Sequence, residues 1–252
     1  MKIIVNADDW GLEPIRDLAI AECFRRDWLT NTTAVMNRPG LERATELARK
    51  EGFADRVGLH VNLTYDRPLT DAIRRIPEFC DSDGVFTGAF HQSSKSRLWL
   101  SADAKRAVAD EVRAQARRYK EQGYTLMHAD SHHHSHTDIA ITPVIIAVLK
   151  EDGFRTLRIA RNMGGGSCLR RCYKGLFNHY VQAKGMAYTD YFGSIDDFVR
   201  DAKSLPDTAS VEIMCHPMFT VGREDRRDGV LTDLYVPFDP MKMELIAKCR
   251  SL

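Results

Sequence analysis

The sequence predicts an α/β protein built as a single parallel barrel of about six or seven β/α units, and three observations support this. Short β-rich runs alternate with amphipathic helical stretches along most of the chain, which is typical of a parallel sheet. Asp, Asn and His residues lie at the ends of several of these runs. The chain has 252 residues, and single α/β barrels of about 250 residues are common. The alternation alone does not separate a barrel from an open sheet, but the number of units favours the barrel.

In the first part of the chain, three apolar runs are predicted strands, and the amphipathic stretches between them are predicted helices. The strands are expected at Lys2–Ala7, Thr30–Met36 and Val57–Leu63. A helix at Pro14–Asp27 begins with proline, whose fixed φ suits a first helical turn. A second helix at Leu41–Glu51 is followed by Gly52, and glycine commonly ends helices.

The segment Tyr65–Leu100 interrupts this alternation. It contains four residues that break regular structure, Pro68, Pro77, Gly84 and Gly88. Long loops inside compact domains are usually functional, so we expect an insertion at about 65–100 that acts as a lid. No low-complexity linker or internal repeat divides the chain, and residues 1–252 are therefore expected to form a single catalytic domain.

The second part of the chain resumes the alternation. Ser101 is the expected N-cap of a helix that reaches Gln122. Another helix begins at Thr142, with a proline in its first turn, and ends at Gly153. The remaining predicted elements are strands at Thr125–Asp130, Thr156–Ala160, Asp190–Phe192 and Val211–Cys215, a glycine-rich loop at Asn162–Cys172, and helices at Ser194–Leu205 and Pro240–Lys248.

Composition and charge exclude several classes of protein. The chain is 44% hydrophobic and 28% charged, which is ordinary for a globular domain. Its 36 Lys and Arg residues against 35 Asp and Glu residues leave no basic field, which disfavours nucleic-acid binding. No run of about 18 apolar residues is present to span a membrane. The first residues do not form a secretory signal, so a cytoplasmic protein is expected, and a homodimer is the base-rate expectation for its assembly.

Residues typical of catalytic and metal sites follow several predicted strands. In chain order they are Asp8 and Asp9, then His60 and Asn62, then the segment 128–136 with five of the nine histidines, and finally His216. The carboxyl ends of parallel barrel strands surround one mouth. We therefore expect these side chains to be neighbours, although they lie far apart along the chain.

Each of these residues also has a purely structural interpretation. A carboxylate after a strand commonly caps the next helix, a lone histidine in an apolar strand is more often a core residue, and a histidine tract can be incidental. Two adjacent carboxylates, however, repel each other unless a cation lies beside them, and the histidine segment is internal and contains Asp130. The residue types favour a catalytic site for one divalent ion, with Zn, Mg, Mn and Co all compatible.

Four ordered blocks resemble the YdjC/ChbG-type carbohydrate (chitooligosaccharide) deacetylase family. The blocks are Asn6–Gly11, Gly58–Leu63, His128–His136 and Glu212–Pro217, and together they span nearly the whole chain. The resemblance implies a distorted (β/α) barrel related to polysaccharide deacetylases. It also implies metal-dependent removal of acetyl groups from N-acetylated sugars, such as oligosaccharides that contain N-acetylglucosamine.

By motif position, the resemblance implies residue roles as well. Asp9, His60 and His132 would be the metal ligands. Asp8 would be the catalytic base, and His216 would be the acid that protonates the leaving amine. Substrate contacts are predicted at Arg158, Asn62, His134 and His136, with support of the ligands as the alternative role for the two histidines.

Two other functions stay open on the sequence alone. A metal-dependent phosphoesterase on a similar barrel would usually hold two metal ions with more ligands. A non-enzymatic protein that binds a metal or a sugar would not need an acid–base pair such as Asp8 and His216. The number of bound metal ions and the release of acetate would separate the three.

Overall fold

A curled sheet of parallel strands lies at the centre of the molecule. The computed structural model describes residues 1–220, 233–235 and 246. Within these residues, the seven strands of the sheet are β1 Lys2–Trp10, β2 Asn31–Val35, β3 Val57–Val61, β4 His128–Ser131, β5 Thr156–Leu157, β6 Tyr191–Ser194 and β7 Ser210–Cys215. Their spatial order is β5-β4-β3-β2-β1-β7-β6, and every pair is parallel. Each predicted strand is present, with shifted bounds.

The two edge strands of this sheet approach each other across a short seam. Leu157 of β5 forms an isolated parallel bridge with Ala187. The backbone N–H groups of Asn162 and Met163 donate to the carbonyl oxygen of Phe192 in β6, at 3.1 and 3.2 Å. These few bonds replace a strand ladder, because β5 has only two residues. The sheet is thus an incomplete, curled barrel, and the predicted distorted (β/α) barrel is confirmed.

Helices flank the sheet, as the alternation predicts. They are α1 Pro14–Arg25, α2 Leu41–Lys50, α3 Asp71–Arg74, α4 Ala89–Gln92, α5 Ser94–Leu98, α6 Ala102–Glu121, α7 Thr142–Glu151, α8 Cys168–Ala183 and α9 Ile195–Asp201. The predicted cap of α6 is present, since the Ser101 hydroxyl accepts the N–H of Ala104 at 3.1 Å. None of the described helices is long and apolar enough to cross a membrane.

The two faces of the sheet have different chemistry. Between the sheet and the helices the packing is aromatic and aliphatic. The ring of Phe53 stacks on Phe24 at 4.0 Å and meets Trp10 edge-on at 5.1 Å. On the inner face, polar side chains form a hydrogen-bonded network that includes Asn6 and Thr33, both without exposed surface. An apolar shell therefore encloses a polar interior, and this interior leads to the candidate site.

The predicted insertion at 65–100 contains the short helices α3, α4 and α5. Its beginning is fastened to α6 by Glu111, a side chain with no exposed surface. One carboxylate oxygen of Glu111 accepts the N–H of Leu69 at 3.0 Å, and the other accepts the N–H and hydroxyl of Thr70, both at 2.8 Å. The carboxylate of Glu111 thus accepts hydrogen bonds from the backbone at the start of the insertion, where water would otherwise be the acceptor.

Helix α8 corrects part of the predicted glycine-rich loop at Asn162–Cys172. The Ser167 hydroxyl accepts the N–H of Arg170 and caps α8, so the last residues of the predicted loop are helical. Only Phe177 and Val181 are buried in this helix. The three glycines before it, Gly164–Gly166, indicated a loop in the sequence.

The end of the chain is described only in part. A short antiparallel pair joins β8 Met218–Thr220 to β9 Asp233–Tyr235. The helix predicted at Pro240–Lys248 lies outside the described residues, apart from Ile246.

Candidate active site

The two adjacent carboxylates near the end of β1 both turn into the mouth of the barrel because the strand is irregular there. In a regular strand, neighbouring side chains face opposite sides of the sheet. Between Ala7 and Trp10 the register with β2 shifts, and Asp9 has a φ of 73°. Aspartate enters this left-handed region more readily than most residues. The local strain thus brings Asp8 and Asp9 to one side, where each finds different partners.

Asp9, His60 and His132 form the candidate metal centre. The Asp9 Oδ1 atom lies 2.8 Å from His132 Nδ1 and 3.2 Å from His60 Nε2. One ligand atom from each residue lies within 4.8 Å of the others. Asp9 and His132 are 123 positions apart in the chain, yet the parallel strands place them together. A carboxylate with two imidazoles is a donor set that fits a divalent ion with open positions.

The imidazole of His60 is fixed by a carboxylate behind it. Its Nδ1 donates to Asp130 Oδ1 at 2.6 Å, which leaves Nε2 for Asp9 or for an ion. Burial lowers the pKa of His60, but the charge of Asp130 and the hydrogen bonds to Asp130 and Asp9 outweigh burial and raise the pKa to about 10. Binding of a cation at Nε2 therefore has to displace a proton.

The carboxylate of Asp9 is held ionised by its neighbours. Burial raises its pKa, but hydrogen bonds to His132 and His60 have the larger combined effect and hold the pKa far below the ordinary value. Arg16 Nη1 lies 3.3 Å from its second oxygen. Asp9 is thus a permanent anion at the mouth, as a metal ligand requires.

Asp8 lies deeper and is held by a guanidinium. Arg158 donates to both of its oxygens at 2.7 Å, and Asn6 Nδ2 donates to Oδ1 at 2.9 Å. Burial raises the pKa of Asp8, but the charge of Arg158 and its hydrogen bonds lower it to a net value below the ordinary one. This bidentate pairing fixes the direction of the carboxylate as well as its charge.

Arg158 connects three buried carboxylates. Besides Asp8, its guanidinium contacts Asp130 Oδ2 at 2.8 Å and Glu212 Oε1 at 2.8 Å. Its side chain has no exposed surface, and the ring of Phe192 covers it at 4.7 Å. The substrate contact predicted for Arg158 therefore has no open surface to use, and the placement favours the orientation of Asp8.

The other predicted substrate contacts lie in different environments. Asn62 is fully buried and holds a turn, since its Oδ1 accepts the N–H groups of Thr64 and Tyr65, both at 3.1 Å. His136 is also fully buried, with Ser131 Oγ at 2.6 Å and the carbonyl oxygen of Arg158 at 3.1 Å. These placements favour support of the site over contact with a substrate.

His134 lies at the surface of the site, in a strained loop. Residues His132–Thr137 form a 3₁₀ segment in which His133 and His134 have φ values of 54° and 55°. Burial lowers the pKa of His134 to about 4, so the ring is neutral near pH 7. It lines a groove of about 830 Å³ with His91, Tyr173 and Phe192, a size and a lining suited to a small organic ligand.

His216 stands at the rim. It follows β7, its side chain is 44% exposed, and its Nε2 lies 3.9 Å from Asp8 Oδ2. That distance is beyond a hydrogen bond, so the imidazole is not locked to Asp8. The structure therefore brings all five predicted catalytic and metal residues to one mouth.

Glu212 belongs to this interior, although it is not among the residues predicted from the sequence to form the site. A carboxylate in the apolar run of β7 requires a buried cationic partner, and that partner is Arg158, whose Nε donates to Glu212 Oε1 at 2.8 Å. The signal in the sequence was the isolated acidic residue itself. The identity of its partner depends on β5 and β7 meeting across the barrel, which no local pattern predicts.

The fold and the cluster together define a barrel protein with a candidate metal centre at the carboxyl ends of its strands. The family model described as YdjC-like protein matches residues 2–235. The chain therefore belongs to the YdjC-like family, as its motifs predict.

Named relatives cover most of the chain. A carbohydrate deacetylase of Brevibacillus brevis is 31% identical over 224 residues, which is 87% of this chain and 82% of the relative. A chitooligosaccharide deacetylase of Klebsiella pneumoniae is 30% identical, over 86% of this chain and 81% of the relative. The crystal structure of a candidate cellobiose-phosphate cleavage protein of Enterococcus faecalis has the same fold, with a TM-score of 0.69 and 24% identity over 87% of this chain and 82% of that one.

Proposed function

We propose that this protein is a metal-dependent hydrolase that removes acetyl groups from N-acetylated sugars, such as oligosaccharides of N-acetylglucosamine. The observation that carries the proposal is the gathering of Asp9, His60 and His132 around one point, with Asp8 beside them. The relatives named as carbohydrate and chitooligosaccharide deacetylases support the substrate class, since they are about 30% identical over most of this chain.

Asp9, His60 and His132 are the proposed ligands of one divalent ion. When bound, such an ion lowers the pKa of water and polarises a carbonyl oxygen. The imidazoles suit Zn, and the carboxylate also suits Mg, Mn or Co. Asp130 supports this role of His60, because its hydrogen bond to Nδ1 directs Nε2 toward Asp9.

Asp8 is the proposed general base that takes the proton of the attacking water. Arg158 and Asn6 fix its direction, which reduces the entropy lost on reaching the reactive geometry. Its lowered pKa makes it a weak base, so it accepts a proton only from a strongly acidified donor. Its position beside the proposed ion meets that requirement.

His216 is the proposed general acid. Hydrolysis adds the water oxygen to the acetyl carbon and breaks the bond from carbon to nitrogen, so the nitrogen needs a proton to leave as an amine. The exposed ring of His216 is free to meet a sugar that enters from solvent, and it lies on the side of Asp8. The products are acetate and a free amino sugar.

Arg158 argues against the alternative of a two-metal phosphoesterase. A second ion near the first would need the carboxylates of Asp8 and Asp130. Arg158 Nη1 already lies 2.7 Å from Asp8 Oδ2 and 2.8 Å from Asp130 Oδ2. A guanidinium in this place neutralises both carboxylates and repels a second cation.

The proposal is tested by acetate release. Protein stripped with a chelator is assayed on oligomers of N-acetylglucosamine before and after each of Zn²⁺, Mg²⁺, Mn²⁺ and Co²⁺ is added, and the ion is located by anomalous scattering. We expect acetate release only with metal, at one ion per chain. Hydrolysis of phosphate esters with two ions per chain and no acetate release would replace the proposal with the phosphoesterase.

The base is tested by Asp8→Asn. The variant should keep its metal and lose turnover by about 10²- to 10⁴-fold, which is the usual contribution of a general base. The exposed Asp103→Asn on α6 is the matched control and should keep wild-type turnover. Full turnover in Asp8→Asn would remove Asp8 as the base.

A further inference from the structure

A second carboxylate–imidazole pair lies in the groove beside the candidate metal centre. His91, in α4 of the insertion, has its Nδ1 2.6 Å from Asp138 Oδ2. Asp138 has no exposed surface, whereas the side chain of His91 is 25% exposed. The two residues come from different parts of the chain, since Asp138 follows the histidine segment of the site. The pair thus joins the insertion to the loop that carries His132.

Asp138 is held firmly in place. Arg97 Nε donates to its other oxygen at 2.6 Å, and the N–H of Ala140 donates to the carbonyl oxygen of Arg97 at 3.0 Å. The backbone carbonyl of Asp138 also accepts the N–H groups of Ile141 and Thr142, each at 3.0 Å. Arg97 and His91 both bond to the carboxylate of Asp138, which acts only as an acceptor. The proton in the bond between His91 and Asp138 is therefore carried by Nδ1 of His91.

This arrangement leaves the other nitrogen of His91 unused. Nε2 has no hydrogen-bond partner among residues 1–220, and His91 lines the groove together with His133, His134 and Tyr173. The ring lies nearly parallel to that of His133, with centroids 6.5 Å apart and an interplanar angle of 14°. His133 in turn contacts Thr64 Oγ1 at 3.1 Å. The hydrogen bond to Asp138 thus sets the direction of the His91 ring, with the ring of His133 alongside it.

Histidine held in this way resembles other fixed imidazoles, in which a carboxylate chooses the tautomer and the ring direction. Nothing in the candidate metal centre requires such a ring, because the three proposed ligands are complete without it. The buried Asp138, which is hydrogen-bonded to both Arg97 and His91, holds the imidazole so that Nε2 of His91 faces an open groove. A polar atom held in this way is suited to the recognition of a ligand.

We propose that His91 is a substrate-binding residue, whose Nε2 forms a hydrogen bond with a hydroxyl or acetamido group of the sugar unit next to the one that loses acetyl. Asp138 and Arg97 are its positioning residues. The ligand class is a saccharide of at least two units, because His134 and Lys174 line the groove and the three proposed metal ligands do not, so a sugar unit in the groove is a different unit from the one at the metal centre. This inference rests on the proposed function.

Two conservative variants separate recognition from structure. In His91→Asn the amide takes the place of Nδ1, which keeps the bond to Asp138 and removes the group at Nε2. In His91→Gln the amide takes the place of Nε2, which keeps the group in the groove and removes the bond to Asp138. Each substitution is combined with Asp8→Asn, which should keep the metal and stop hydrolysis of the ligand. Dissociation constants are measured by titration calorimetry on the metal-loaded proteins, with the N-acetylglucosamine trimer and with the monosaccharide. The exposed His179→Asn on α8 is the control.

We expect His91→Asn to weaken binding of the trimer by about 3- to 10-fold, the usual worth of one hydrogen bond, and His91→Gln to weaken it less. Binding of the monosaccharide, and trimer binding by His179→Asn, should be unchanged. A purely structural role of His91 would reverse the ranking, because only His91→Asn keeps the bond to Asp138, and that result would overturn the inference.

Failure of the inference about His91 and failure of the proposed function give different results. Binding that follows this ranking without any acetate release by the wild type would leave the saccharide site standing and remove the deacetylase. Absence of trimer binding by metal-loaded Asp8→Asn protein with the native His91 would overturn the inference about His91, whatever the turnover of the wild type.

Discussion

At the scale of single residues, His132 is a proposed metal ligand with a partly exposed side chain. Its side chain is 13% exposed, and its Nδ1 contacts Asp9 at 2.8 Å. His60, in contrast, is 1% exposed and bonded on both nitrogens. His132 therefore allows the metal site to be tested with less damage to the fold.

We predict that His132→Ala loses the bound ion and metal-dependent turnover while it keeps its secondary structure, because the truncation removes one of three donors from a partly exposed position. Metal content by mass spectrometry of the native protein, circular dichroism and turnover are the measurements. The exposed His179→Ala serves as control. Wild-type metal content in His132→Ala would mean that the ligand set is incorrect.

Residue identity at the mouth was predictable to a useful extent. Carboxylates and histidines at strand ends are rare enough to stand out, and the carboxyl ends of parallel strands share one edge. The strain at Asp9 was not predictable, since a φ of 73° has no signature in the sequence around it. Nor was Asp138, because its partner His91 lies 47 positions away in a different element.

At the scale of elements, the insertion at 65–100 depends on one buried side chain of α6. Both oxygens of Glu111 accept backbone N–H groups, from Leu69 and Thr70. Gln115 Nε2 also donates to Oε1, at 2.9 Å. If residue 111 were glutamine, its side-chain NH₂ group would replace one carboxylate oxygen and would face N–H donors that need an acceptor.

We predict that Glu111→Gln lowers the free energy of unfolding by about 1 to 3 kcal/mol, the cost of buried donors without an acceptor. Faster amide exchange should appear at Leu69 and Thr70. Denaturant unfolding and hydrogen exchange are the measurements, and the exposed Glu121→Gln near the end of the same helix is the control. Equal exchange at Leu69 and Thr70 in variant and wild type would contradict this anchoring role.

Some helices were predicted from the sequence and others were not. Helix α6 has a capping serine and a regular buried face that includes Val108, Val112 and Tyr119, so its bounds agreed closely. Helix α8 buries only Phe177 and Val181, and the glycines at 164–166 before it indicated a loop. The short helices of the insertion owe their existence to anchors such as Glu111, which are tertiary contacts.

At the scale of the whole molecule, the barrel interior holds more carboxylates than cations to pair them. Arg158 serves Asp8, Asp130 and Glu212 together. Burial raises the pKa of Glu212 to about 7, although Arg158 counteracts it. At Glu212, the folded state therefore binds more protons than the unfolded state between pH 4.5 and 7, and this carboxyl destabilises the fold increasingly as the pH rises through this range.

We predict that Glu212→Gln gains stability relative to the wild type as the pH rises from 4.5 to 7, because the amide has no charge to bury while Oε1 still accepts from Arg158. Urea unfolding of metal-free protein across this range is the measurement. In the control Glu42→Gln, Arg118 holds the pKa of the native carboxyl below its usual value, so no such gain is expected. A difference between Glu212→Gln and wild type that does not change with pH would contradict the account.

The fold class followed from the sequence because the β/α alternation is a global pattern repeated along the chain. From β1 to β5, strands that follow one another along the chain are neighbours in the sheet, as is usual for parallel sheets. The place of β7 beside β1, with β6 outside it, did not follow, since it depends on how the two ends of the sheet curl toward each other.

The seam between β5 and β6 also identifies where the ring of strands is easiest to open. Among the described residues, its main-chain pairing is the bridge from Leu157 to Ala187 and the two bonds to Phe192, and the Asn162 side chain adds bonds to the backbone of Asp190 and Phe192. The exposed tip at Gly165 and Gly166 lies on this side, and a Cβ atom added to either glycine would meet no other part of the chain within 4 Å. A circular permutant with new termini at that tip would sacrifice little main-chain pairing, which makes it the natural place to cut the chain for domain insertion or a sensor.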